Sequence, residues 1–195
     1  MHYCQQCAVA VLMQPEEDLA VCPDCRSSES ARRLPLFVVT GASGSGKTTV
    51  FPHLVAALGE CAVFDVDWLI DSFQGVGAFE EMDWRAFRDA WLSIAHGVAQ
   101  GGRHTVLLGP FMPDQLAGLP ARRWIGDIHF AVLDCPDEER RTRLENRPQW
   151  RERAIDQHLG FAAHLRKSIP TVVPTAGSPV DTARTLAAWV RARLS

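Results

Sequence analysis

The chain has 195 residues, of which 47% are hydrophobic and 22% charged, and its formal net charge is −3. These values fit a soluble globular domain of ordinary size with a small appendage. The apolar runs are strand-length, too short to span a membrane, and the acidic balance argues against a life on nucleic acid while leaving a local basic groove open. The N-terminus, Met1-His2-Tyr3-Cys4, lacks a basic stretch followed by an apolar one, so the expected compartment is the cytoplasm.

Four of the six cysteines come as two pairs, Cys4-Gln5-Gln6-Cys7 and Cys22-Pro23-Asp24-Cys25. Two C-x-x-C knuckles in so short a segment predict a tetrahedral four-thiolate zinc site, each knuckle supplying two ligands. A pair of disulfides would need an oxidising compartment, and a redox C-x-x-C would not come twice. Residues 1–25 therefore read as a zinc ribbon with too few apolar residues for a core, folded by its metal. The polar stretch from Arg26 to Arg33 reads as a linker. The expected division is 1–33 for ribbon and linker and 34–195 for the main domain. Cys61 and Cys135 lie beside apolar strands and read as small buried hydrophobes.

From Pro35 onward strands and helices alternate, which predicts an α/β fold with a parallel sheet. The first strand is Leu36-Phe37-Val38-Val39-Thr40. It runs into Gly41-Ala42-Ser43-Gly44-Ser45-Gly46-Lys47-Thr48 and then a helix from Thr48 to Leu58. The pattern G-x-x-x-x-G-K-[ST] between strand and helix cradles phosphate: backbone N–H groups wrap the oxygens and the helix N-terminus faces them. Gly41, Ser43, Gly44, Ser45, Gly46, Lys47, Thr48 and Thr49 are the candidate nucleotide-binding residues. Lys47 would reach the β- and γ-phosphates, and the Thr48 hydroxyl would ligate Mg²⁺.

The second strand is expected over Ala62–Asp67. It ends in two acids, Asp65 and Asp67, at the sheet edge where α/β ligands bind, and period-two alternation would point both carboxylates to the same side. Asp67 is the candidate for taking a proton from an attacking hydroxyl, and Asp65 for holding Mg²⁺. The plainer alternative makes Asp67 the cap of a following helix. A loop with Gly75 and Gly77 comes next. A helix from Asp83 to Gln100 then carries Trp84, Phe87, Trp91 and Ile94 at helical spacing, read as core packing. The third strand, Thr105–Leu108, ends in Gly109-Pro110-Phe111 and brings no acid where many nucleotide-binding sheets carry one.

The fourth strand is Ile128–Leu133. The helix after Pro136 carries Arg140, Arg143 and Arg147 on one face, a candidate cationic lid for phosphoryl transfer. Arg143 and Arg147 are the catalytic candidates, Arg147 first because Pro148 ends the helix beside it. A helix from Ile155 to Lys167, a fifth strand over Thr171–Val173 and a helix from Val180 to Arg193 complete the pattern. The loop Thr175-Ala176-Gly177-Ser178-Pro179 would lie near the nucleotide base, with Ala176 as its binding candidate.

From Leu36 to the C-terminus the chain resembles the small P-loop kinases of the nucleoside, shikimate and gluconate kinase group. The loop GASGSGKT, the strand-two Asp67, the stretch RTRLENRP and the late TAGSP loop carry the likeness. Phe64-Asp65-Val66-Asp67-Trp68-Leu69-Ile70 is also similar to the strand-two acidic region of chloramphenicol phosphotransferases, which implies that Asp67 acts on a substrate hydroxyl. The resemblance implies a three-layer P-loop NTPase fold with a five-stranded parallel sheet. It further implies transfer of the γ-phosphoryl of ATP to a hydroxyl or phosphate of a small molecule. ATP, Mg²⁺ and Zn²⁺ are the expected cofactors, no membrane is expected, and a homodimer is left open. Two other readings stand beside this one: a kinase directed at nucleic acid through the ribbon, and a non-catalytic ATP-binding switch. The ribbon's acids, Glu16, Glu17, Asp18, Asp24 and Glu29, outnumber its bases and count against phosphate-backbone binding.

Overall fold

The first thirty residues form two small antiparallel sheets. β1 (His2–Cys4) pairs with β2 (Val9–Val11). β3 (Gln14–Glu16), β4 (Leu19–Val21) and β5 (Ser28–Ser30) make the second sheet, with Val21 opposite Ser28 and Leu19 opposite Ser30. The stretch expected as a linker therefore contains a strand. Its Ser-Glu-Ser sequence is polar on both faces because all three residues are exposed, so only backbone hydrogen bonds mark it as a strand. The computed structural model describes residues 2–73, 82–146 and 155–194.

The main sheet is built around β6 (Leu36–Thr40), which is buried along its whole length. A strand apolar on both faces needs a layer on each side. The other strands are β7 (Ala62–Asp65), β8 (Thr105–Leu108), β9 (Ile128–Asp134) and β10 (Val172–Pro174). All five pair in parallel in the order β10-β9-β6-β8-β7. On one face Phe37 and Val39 meet Val50 and Leu54 of α1 (Lys47–Ala57) and Ala183, Leu186 and Val190 of α7 (Pro179–Arg191). On the other, Leu36 and Val38 meet Phe87, Trp91 and Leu92 of α3 (Trp84–Gln100). The expected aromatic stripe is therefore core, and each such side chain contributes about 1.5–3 kcal/mol by leaving water. The remaining helices are α2 (Ile70–Phe73), α4 (Pro113–Ala117), α5 (Asp137–Glu145) and α6 (Ile155–Ser168). The three-layer fold with a five-stranded parallel sheet is the one expected.

The second strand stops at Asp65, two residues short of expectation. Val66–Leu69 turns into a 3₁₀ helix whose Asp67 N–H donates to Asp65 Oδ1 at 3.1 Å. The cap is thus Asp65 and not Asp67, and the two carboxylates do not share a strand face. Cys61 and Cys135 are both buried, as expected. Gly75, Gly77, Arg147 and Pro148 lie outside the described residues.

The small sheets also have an apolar centre. Cys4, Met13, Ala20, Cys22 and Ala31 pack around Trp124, which belongs to the 3₁₀ segment Pro120–Trp124 leading toward β9. The expectation of a region without a core is corrected: the N-terminal residues borrow a tryptophan from the rest of the chain. Gln100, at the end of α3, fixes the join by accepting from the Arg32 N–H at 2.9 Å and donating to its carbonyl at 3.0 Å. Arg32, Gln100 and Trp124 precede β6, β8 and β9 in the chain, so the N-terminal region docks at the sheet edge where the strands begin.

Candidate nucleotide, acceptor and metal sites

The opposite edge, where the strands end, carries the phosphate-loop residues. Gly44 and Gly46 have φ of +79° and +91°, which side chains disfavour. A Cβ on Gly41 would stand 2.6 Å from Ser45 Oγ and 2.7 Å from the Leu133 carbonyl. Gly46 is the N-cap of α1 and no side chain bonds there, so the first turn of α1 is left open at its positive end. Lys47 folds back over the loop and donates to the carbonyls of Gly41 and Ala42. Ser43 is half-buried and Ser45 buried, whereas Thr48 and Thr49 are exposed beyond them.

Two guanidiniums hold the loop from beneath. Arg140, wholly buried, pairs with Asp134 at the end of β9 and donates to the Ser43 carbonyl at 2.9 Å. Arg143 pairs with Glu139 and donates to the Gly44 carbonyl at 3.0 Å. Arg140 thus departs from the lid expected of it. A charged side chain at helical spacing shows its face in the sequence but not its partner.

Beside the loop lies a cavity of about 360 Å³, lined in part by Gly46, Thr49, Arg143, Thr175, Gly177 and Thr182. Ala176 is exposed between two of these residues. The expected base-side loop, the arginine and the phosphate loop therefore come together.

Asp67, in the 3₁₀ turn after β7, is exposed at its surface but has enough protein around its carboxyl to lose part of its hydration. That burial raises its carboxyl above the usual aspartate value, the charge of Asp65 raises it further, and Lys47 pulls it down. Gly109, at the end of β8, lets Val66 of the 3₁₀ turn pack against it: a Cβ there would meet Val66 Cγ2 at 2.2 Å. His158 on α6 is held below the usual histidine range by burial first, then by the positive charges of Lys47 and Arg140. The sequence assigns no role to Asp134, Gly109 or His158. Only a Gly-Pro pair after a buried strand hinted at any of them.

The four cysteines converge at the far edge. Their sulfurs all lie within 4.8 Å of one another, with Cys4–Cys25 at 3.7 Å and Cys7–Cys22 at 3.8 Å. A zinc–sulfur bond of about 2.3 Å in tetrahedral geometry sets sulfurs about 3.8 Å apart, whereas a disulfide needs about 2.05 Å. The donor set and spacing fit zinc. Cys4 is lowered to about 6, first by the Ser27 hydroxyl and then by the Cys7 N–H, which donates to its sulfur at 3.4 Å. Cys25 is lowered first by the same hydroxyl, while Cys7 is raised, first by its bond with Cys25 and then by burial. Ala8 and Arg26, each directly after a knuckle, have φ of 55° and 62°.

No curated protein matches the sequence. Among solved structures, a sugar kinase from Janibacter sp. HTCC2649 is similar with a TM-score of 0.60 at 19% identity, covering 82% of this chain and 95% of its own. A tunicamycin resistance protein from Deinococcus radiodurans aligns with a TM-score of 0.59 at 19% identity, over 82% and 96%. A shikimate kinase from Acinetobacter baumannii, solved with shikimate, aligns with a TM-score of 0.54 at 22% identity, over 82% and 94%. At these identities the likeness establishes the fold. No helix among the described residues is long and apolar enough to cross a membrane. A family model described as an AAA domain matches residues 38–158, more than half of the chain and from within β6 through the phosphate loop into α6, and the protein belongs to that family.

Proposed function

We propose that the protein is an ATP-dependent kinase that transfers the γ-phosphoryl group to a hydroxyl or phosphate of a small molecule. The observation that carries this reading is the phosphate loop itself: glycines at positive φ lead into an α1 N-terminus that no side chain caps, and Lys47 lies over the loop. The neighbours in fold, two of them named as sugar and shikimate kinases, support the same reaction class.

In this mechanism the N–H groups of Gly44 and of residues 46–49 bind the triphosphate together with Lys47, which exchanges its loop carbonyls for phosphate oxygens. Thr175 and Ala176 would lie on the base side, with Arg143 between them and the phosphate loop. The acceptor hydroxyl loses its proton to Asp67 as its oxygen bonds to the γ-phosphorus and the bond to the ADP oxygen breaks. Arg143 and Arg147 would draw off charge developing on the transferring group. Thr48 and Asp65 offer the hard oxygen donors that Mg²⁺ takes, and the ion would screen the triphosphate. Cys4, Cys7, Cys22 and Cys25 would hold one Zn²⁺. We keep the division into residues 1–33 and 34–195 as a functional one: the metal-bearing part first, then the kinase.

The ribbon docks where the strands begin, and the phosphate loop lies where they end. Strands of this length put the two edges about 17 Å or more apart. That separation disfavours a ribbon gripping nucleic acid for the phosphate-loop site.

The test is Lys47→Ala with calorimetry and a turnover screen over nucleosides, nucleotides, sugars and hydroxylated antibiotic-like compounds. The wild type should bind Mg-ATP and turn over at least one acceptor class. The variant should fold normally and lose about 10²–10³ in kcat. A folded, metal-replete wild type that binds no ATP would defeat the proposal.

A further inference from the structure

We infer that Arg140 is a positioning residue for the phosphate loop: buried with Asp134 beneath Ser43–Gly44, it holds that peptide so that the Gly44 N–H faces the phosphate. The inference rests on the proposed nucleotide site and deepens it.

Arg140 is 0% exposed, which for an arginine demands compensation. The compensation is specific. One terminal nitrogen pairs with Asp134 Oδ1, and the other donates to the Ser43 carbonyl at 2.9 Å. The second carboxylate oxygen of Asp134 accepts from Arg166 of α6 at 3.0 Å. The fork therefore joins the end of β9 to the middle of the loop. Its aliphatic stem completes the fit, since a Cβ on Gly44 would lie 3.3 Å from Arg140 Cγ.

The consequence follows from peptide planarity. In a trans peptide the C=O and the next N–H point in opposite directions. Tying the Ser43 oxygen to a buried guanidinium turns the Gly44 N–H the other way, to the loop's outer side. The next peptide is held at both ends, its Gly44 oxygen accepting from Arg143 at 3.0 Å and its Ser45 N–H donating to the Ala42 carbonyl at 3.1 Å. A glycine-rich loop is otherwise free to flip these peptides. A flip would set carbonyl oxygens against the phosphates. Asp134 offsets the buried charge, so the strut acts chiefly through orientation. A core prop alone would need no bond to the loop carbonyl.

The test uses the full chain, zinc-loaded, with Arg140→Met as the main variant. Methionine keeps the apolar stem, and Asp134 keeps its Arg166 partner. Binding of Mg-ATP and of inorganic tripolyphosphate, which touches only the phosphate side, is measured by calorimetry. Both affinities should fall about tenfold or more, and adenosine binding, measured by competition, should stay within about twofold. Arg140→Lys keeps a point charge for Asp134 but loses the two-pronged reach, so it should restore folding stability without restoring tripolyphosphate affinity. A folded Arg140→Met protein with tripolyphosphate affinity within twofold of the wild type overturns the inference and leaves the kinase reading intact. A wild type that binds neither ATP nor tripolyphosphate defeats both. If the variants do not fold, the wild type decides by nitrogen-15 NMR of its arginines. The Arg140 Nη resonances should shift when tripolyphosphate is added, and unmoved resonances overturn the inference.

Discussion

The two edges of the main sheet hold their sites together in different ways. At the ends of the strands, the phosphate loop rests on β6, on the α1–α7 layer and on the buried Arg140–Asp134 pair, all internal to the fold. At the beginnings of the strands, the cysteine region has short strands, one borrowed tryptophan and four sulfurs spaced as a metal would space them. The first site is preorganised by apolar burial, which needs no ligand. The second has little burial of its own to offset its ordering entropy, and under the zinc proposal the metal would supply the difference. The lesson is that ligand removal should leave one edge standing and undo the other.

Zinc removal tests that difference most severely. Structural zinc contributes on the order of 10 kcal/mol to small domains at neutral pH. Chelation, or Cys22→Ser, should therefore melt residues 1–31 and keep the main sheet folded. Trp124 should then lose its packing against Cys4, Met13 and Cys22 and become wet. The expected readout is a red shift in tryptophan fluorescence that Trp124→Phe abolishes, with most helical circular dichroism retained. Cooperative loss of the whole signal would show that the two edges are one unit. Elemental analysis should return about one zinc per chain, and two disulfides in its place would end the metal reading.

The contrast also explains what the sequence disclosed. β6, β8 and β9 were legible because strands buried on both faces read as apolar runs, and α1 because the glycine-lysine loop announces it. α3 was legible because Phe87 and Trp91 recur at the helical period. The N-terminal region was less so: Ser28–Ser30 is a strand without an apolar residue, and Trp124 joins it from almost a hundred residues away. Within the site, spacing located Asp65 and Asp67 but not the 3₁₀ turn that separates them. Arg140 showed its helix face but not its burial against Asp134, because a charged residue in sequence looks solvated until the fold buries it. Gly109 was hidden because its need for a missing Cβ is created by Val66, which is remote in sequence.

The second test stays on the strand-end edge and concerns protons. A positioned base contributes on the order of 10²–10⁴-fold in rate, so Asp67→Asn should lower kcat by about that factor while ATP still binds. Because burial and Asp65 raise the Asp67 pKa, the active carboxylate is present above that raised value and is lost as pH falls through it. The acid limb of the kcat profile should accordingly stand above the ordinary aspartate range. Asp65→Asn keeps the oxygen that caps Asp67 N–H but removes its charge, so the limb should move to lower pH. The stability sign runs with it. A raised acid costs the folded state stability above its unfolded pKa, so Asp67→Asn should not lower the melting temperature at neutral pH. A drop in melting temperature with near-normal turnover would make Asp67 a structural residue and remove the base from the mechanism.

The smallest effect probes the strand-beginning edge again, through backbone strain. Ala8 and Arg26 follow Cys7 and Cys25 at equivalent places in the two knuckles, and both have φ near +60°. A non-glycine residue there costs about 1–2 kcal/mol, which the thiolate site must offset. At Ala8 the side chain is one methyl group and exposed, so glycine removes strain and little packing. Glycine also loosens the unfolded chain, which takes back about 0.4–1 kcal/mol. The net expectation for Ala8→Gly is a gain of about 0.5–1 kcal/mol in metal-loaded stability. It should appear as slower zinc transfer to a competing chelator, with nucleotide affinity unchanged at the far edge. Faster zinc loss would mean that the residue after the knuckle is not strained in the loaded protein. The knuckle geometry would then have to come from the sulfur–metal bonds alone.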